Sequence, residues 1–149
     1  MKPDTSAANA LLQQALMGAA VESFGLYHQI PMLEFRNDRT QDHRLYIDTE
    51  MSSNVGFDPA LALTEDEKML VIFNRINLRY VTRVACDDHA NLLLEFDNGM
   101  HLRFTGTPQE ATSEPWQVAS RTSLNEPGGY MVIATYDGGY AIWDAAAAP

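Results

Sequence analysis

Carboxylates are the most abundant groups in this sequence with chemistry to offer. Its 149 residues hold 20 Asp and Glu against 10 Lys and Arg, for a formal net charge of -10. The acids are unevenly spread: Asp42, Asp48, Glu50, Asp58, Glu65, Asp66 and Glu67 share one stretch with a single base, Arg44. No two of them flank a strand-to-helix junction that would hold them in a cleft, so the spacing points away from paired acid–base catalysis. It fits a solvated face, or a surface that draws in a basic partner and speeds the encounter.

Other reactive types occur without partners. His28, His43, His89 and His101 stand singly, with no i, i+4 pair to present two ligands on one helical face, so no metal site is expected. His43 and His89 follow aspartates and read as turn or loop residues in water. Gly128-Gly129 and Gly138-Gly139 do not lead into a helix and lack a following Lys-Ser/Thr, so they read as hairpin turns rather than phosphate cradles. Cys86, the lone cysteine, lies beside Asp87 and Asp88, which would raise its thiol pKa, and reads as structural. Trp116 and Trp143 are expected in the core. The expectation is a protein that is not an enzyme and carries no cofactor.

The elements that would position these groups read as follows. Ser6, a possible cap, opens an amphipathic helix with Leu11, Leu12, Ala15 and Leu16 on one side, ending near Ala20. Val21 to Tyr27, Met32 to Arg36 and Arg44 to Asp48 read as strands. Thr49 to Leu63, rich in Ser, Asn, Gly, Asp and Pro, reads as a connector with little regular structure. Thr64 with Glu67 is a capping box for a short helix over the apolar run Met69 to Phe73, with a buried strand as the competing reading.

Hairpins dominate the second half. Leu92, Leu94 and Phe96 alternate on one strand, and Met100, Leu102 and Phe104 on the next. Parity selects a three-residue loop, Asp97-Asn98-Gly99, that pairs Phe96 with Met100. Asp137-Gly138-Gly139 repeats the pattern, placing Tyr136 opposite Tyr140 and Ala134 opposite Ile142. A weak internal repeat relates Val21, Leu33-Glu34-Phe35 and Leu45-Tyr46-Ile47 to Val81, Leu94-Glu95-Phe96 and Leu102-Arg103-Phe104. The expected fold is therefore one α+β domain over 1-149, mostly antiparallel sheet of about eight or nine strands by this reading. It comprises an N-terminal helix at 5-20, a first β unit at 21-48, an acidic connector and short helix at 49-76, and a second β unit with closing hairpin at 77-144. The tail from Ala145 to Pro149 is expected to fray.

No apolar run approaches the roughly 18 to 20 residues of a membrane span. The segment Met1 to Ala20 makes a poor signal peptide, and one cysteine forms no internal disulfide, so a cytoplasmic location is expected. A pI near 4.6 argues against nucleic acid or anionic lipid as a partner.

The succession Leu92 to Leu102, then Glu114-Pro115-Trp116-Gln117-Val118, then Gly138-Gly139-Tyr140-Ala141-Ile142-Trp143, resembles a family of small uncharacterised bacterial β-rich domains found among polymorphic-toxin immunity proteins. The likeness covers about residues 77 to 143 and, more loosely, 18 to 48. The chain departs from the family's shorter turns at Gln109 to Ser113 and Arg121 to Pro127. The resemblance implies a partner: a cognate toxin, basic around its active site, bound through an acidic surface. The residues expected to make contact are Asp58, Glu65, Asp66, Glu67, Asp87 and Asp88, with an exposed tyrosine, Tyr130 or Tyr136, adding apolar area. A non-catalytic adaptor or a small-ligand binding domain is the alternative.

Overall fold

The repeat seen in the sequence becomes two interlocked halves in the three-dimensional structure, a computed structural model that describes residues 1–38, 41–108 and 114–145. The first half runs α1 (Pro3–Leu16), β1 (Ala20–Tyr27), β2 (Ile30–Arg36), β3 (Asp42–Ile47) and β4 (Thr49–Ser53). The second runs α2 (Glu65–Ile76), β5 (Val81–Cys86), β6 (Leu92–Phe96), β7 (His101–Pro108) and β8 (Trp116–Ser120), followed by a hairpin of β9 (Tyr130–Ala134) and β10 (Tyr140–Asp144). All pairings are antiparallel, and the fold is α+β, mostly sheet.

Each half lends its last strand to the other. One sheet has the order β1-β2-β3-β8-β9-β10, the second β4-β7-β6-β5. The helices cross over too: α1 packs on β5, and α2 on β1. The halves meet in a reciprocal bridge. The Gly18 N–H donates to Val81 O and the Leu78 N–H to Val21 O, while the Val81 N–H donates to Ala19 O and the Val21 N–H to Arg79 O. These residues match at one constant offset, and the strand irregularities after Val21 and after Val81 match as well.

Gly18 and its counterpart Leu78 both hold positive φ, +75° and +64°. A side chain in the left-handed region costs about 1 kcal/mol or more, and Leu78 is exposed, so its leucine recovers little by burial. Leu78→Gly is accordingly expected to stabilise the protein by about 1 kcal/mol, read as a higher urea midpoint at unchanged slope.

Several sequence readings shift. α1 begins at Pro3 after an N-cap at Lys2, so Ser6 lies inside the helix rather than capping it, and ends at Leu16, short of Ala20; proline at N1 is the signal the reading passed over. The connector from Thr49 contains β4 and a 3-10 turn, Pro59–Leu61, capped by Asp58 Oδ1. The capping box at Thr64 and Glu67 is formed in both directions, which settles α2 as a helix. The loop before β7 is Asp97-Asn98-Gly99 as expected, with Gly99 at φ +83°. The loop before β10 is instead Tyr136-Asp137-Gly138, with Gly138 in the left-handed position, so Ala134 pairs with Tyr140 and Val132 with Ile142. Of the tail, residues 146–149 lie outside the described residues, as does the 109–113 departure.

Leu33, Phe35, Leu45, Val118 and Val132 of the larger sheet and Leu94, Phe96, Leu102 and Phe104 of the smaller join Leu12, Leu16, Phe73 and Ile76 in one core. Trp116 is buried there, but Trp143 is half exposed on β10, its indole N–H on Leu124 O at 3.1 Å. No described helix is long and apolar enough to cross a membrane.

Candidate functional site

The predicted acids fall into two groups, one in the β5–β6 turn and one around the start of α2. Asp87 and Asp88 sit in the β5–β6 turn against the start of α1. Asp87 accepts the His89 and Asn91 N–H groups and the Asn91 side-chain amide. Burial pushes its carboxyl up, but these hydrogen bonds outweigh it and hold the pKa below the usual aspartate value. Asp88 accepts the Lys2 N–H at 2.9 Å, which likewise holds it low. Both carboxylates therefore serve local structure. The β9–β10 turn lies against this one, since a Cβ on Gly138 would sit 3.5 Å from His89 Cα. Tyr136 in that turn is exposed, as expected.

Tyr130 is not the exposed tyrosine the sequence suggested. It alternates with Val132 and Ala134 on the core face of β9 and is 5% exposed. His43, expected in water, alternates with Leu45 and Ile47 on β3 and is 1% exposed. Its Nδ1 lies 2.8 Å from Tyr130 Oη and its Nε2 2.9 Å from Asn37 Nδ2. With the amide donating to Nε2, the imidazole is neutral and carries its proton on Nδ1. A small cavity of about 140 Å³ adjoins the cluster.

Burial depresses the His43 pKa below its ordinary 6.5, against the opposing pull of Asp42. The unfolded chain then binds a proton that the folded one refuses, so stability is full above about pH 6.5 and falls as pH drops toward the folded pKa. A His43→Gln variant is expected to lose this decline while keeping any below pH 4.5, where carboxylates titrate. Urea midpoints measured from pH 8 to 5 check it.

The second group of acids builds a site. A groove of about 680 Å³ runs between β4, the β1–β2 turn and the first turns of α2. Glu65 and Asp66 line it, together with Asp48 and Glu50 from the β3–β4 segment. Lys68 is the one cation among its lining residues and pairs with Glu65 at 3.1 Å. Met51, Val55, Phe57, Met69 and Ile72 make an apolar floor that packs on the core. Asp58 and Glu67 stand beside the groove but are engaged as caps; the Thr64 N–H and hydroxyl hold the Glu67 carboxyl low.

Aromatic residues that sequence reasoning did not select continue the surface. A second cavity of about 310 Å³ shares Ile30, Ile47 and Asp48 with the groove and adds Tyr27 and Tyr46. Their rings stand 6.2 Å apart, and Tyr27 is half exposed, as is Leu26. The turn that presents them is a two-residue loop, His28-Gln29, with both residues at positive φ. That backbone is one that Asn-Gly or Gly-Gly adopts more readily. No sequence signal beyond the alternation of β1 and β3 would have joined Tyr27 to Tyr46; the acids of the rim were visible only as local charge.

The arrangement sets apolar area beside a concentration of negative charge. Among the described residues no three His, Cys, Asp or Glu side chains gather as a metal would need. Cys86 is buried, and burial raises its thiol pKa. Set against protein families, curated proteins and solved structures, the chain matches none.

Proposed function

We propose that this protein is an immunity protein, which binds a cognate secreted bacterial toxin in the cytoplasm and covers the toxin's basic active-site cleft with the acidic groove. The observation that carries the reading is the groove itself: Asp48, Glu50, Glu65 and Asp66 rim an apolar floor, with only Lys68 opposing them. A cleft that binds an anionic substrate is basic, and an inhibitor that fills it needs negative charge to imitate the substrate and apolar area to exclude water. Tyr27 and Leu26 supply such area at one end. The resemblance over residues 77 to 143 points the same way, and the role calls for no catalytic group. Co-expression with a toxin-like product of a neighbouring gene tests the reading. Restored growth together with a stoichiometric complex on sizing supports immunity; toxicity that persists without a complex returns the chain to the adaptor reading.

A further inference from the structure

The two halves match strand for strand until their ends. β1-β2-β3 is extended by β8, and β5-β6-β7 by β4, with Leu45 opposite Val118 in one and Leu102 opposite Ser53 in the other. Beyond β8 the symmetry breaks. β8 pairs onward with β9, Val118 opposite Val132, whereas among the described residues β4 has no strand on its outer side. The groove lies along that open edge: all five residues of β4 line it, from both faces of the strand, as a channel beside the backbone requires. The edge of β5, in contrast, is closed by a side chain: Asn9 Nδ2 donates to Cys86 O and the Cys86 N–H to Asn9 Oδ1, both at 2.8 Å, in imitation of a neighbouring strand.

The geometry points to strand addition: an extended segment of a basic partner pairs antiparallel with β4, in the place that corresponds to β9 beside β8. This rests on the proposed binding of a basic partner and says how it is held. Unpaired edge groups are a ready template, and main-chain hydrogen bonds then supply affinity while alternate side chains supply selectivity. Side chains on one face of the incoming strand meet the Met51 side of β4, and those on the other meet the Glu50 side. The segment that fits alternates apolar with Lys or Arg. A second copy of this chain would instead bring two acidic grooves together, and like charges repel.

The test is residue-resolved hydrogen–deuterium exchange on the full chain, with the peptide acetyl-Lys-Val-Lys-Val-Lys-Val-Lys-amide and its block isomer acetyl-Val-Val-Val-Lys-Lys-Lys-Lys-amide as probes. The β4 amides that do not donate to β7 are expected to slow at least about tenfold with the alternating peptide and not with the isomer. The same protection is expected in the toxin complex. Unchanged β4 exchange with the alternating peptide at saturation, equal protection by both isomers, or no binding of either overturns the proposal. Protection that rises with protein concentration alone identifies a second copy as the occupant and overturns it too. If the alternating peptide protects β4 while the toxin goes unneutralised, strand addition stands and immunity falls. If the toxin is neutralised with β4 unprotected, the reverse holds.

Discussion

The Trp116→Ala variant is expected to lose about 3–5 kcal/mol of stability, the usual cost of deleting a large aromatic from a packed core. Trp116 is 1% exposed, stands opposite Ile47 in the register of β3 and β8, and lies 5.8 Å from the Tyr140 ring. Its indole N–H also donates to Ala90 O at 2.7 Å, so truncation leaves a buried carbonyl without that donor. Small domains have about 5–15 kcal/mol in all, so the variant stands near the limit of folding. Urea unfolding followed by the remaining Trp143 measures it. A Trp143→Phe control is expected within about 0.5 kcal/mol of the parent, because Trp143 is half exposed; a loss there as large as at Trp116 would contradict the packing described.

Reversing charge in the groove is expected to act on association instead. Glu50 and Asp66 are exposed, line the groove, and have no hydrogen-bond or ion-pair partner among the described residues. Glu50→Lys with Asp66→Lys should leave the caps at Asp58 and Glu67 intact and slow association with a basic partner about 10- to 100-fold at low salt. The gap should close toward 1 M salt, where screening falls to about 3 Å. Stopped-flow association across a salt series reads both; an equal effect at every salt concentration would place the action in contact rather than steering.

How far these features could be read from the residues depended on range. The Asp97-Asn98-Gly99 loop was legible because a one-residue slip there would turn Leu94 and Leu102 to the wrong face. The last hairpin was not, because either Gly138 or Gly139 can take the left-handed position and the two registers put the same residues inside. The duplicated unit was legible through Val21 and Val81, Phe35 and Phe96. Its exchanged strand β4 was not: Thr-Glu-Met-Ser-Ser has no apolar alternation, and its partner β7 is supplied by the other half. Local charge located Glu65 and Asp66, yet charge alone did not separate them from Asp58 and Glu67, whose carboxylates cap local structure. The alternation that buries His43 with Leu45, and Tyr130 with Val132, was present in the sequence. It was outweighed by the general preference of histidine and tyrosine for partly exposed positions.

Because α1 and β4 complete the far half while α2 and β8 complete the near one, neither stretch of chain can bury its own apolar face in isolation. Severing the exposed backbone between Leu61 and Ala62 is expected to leave two pieces that each need the other to bury their apolar faces. The exchange of strands and helices gives the single chain the form of a swapped pair joined through an exposed linker.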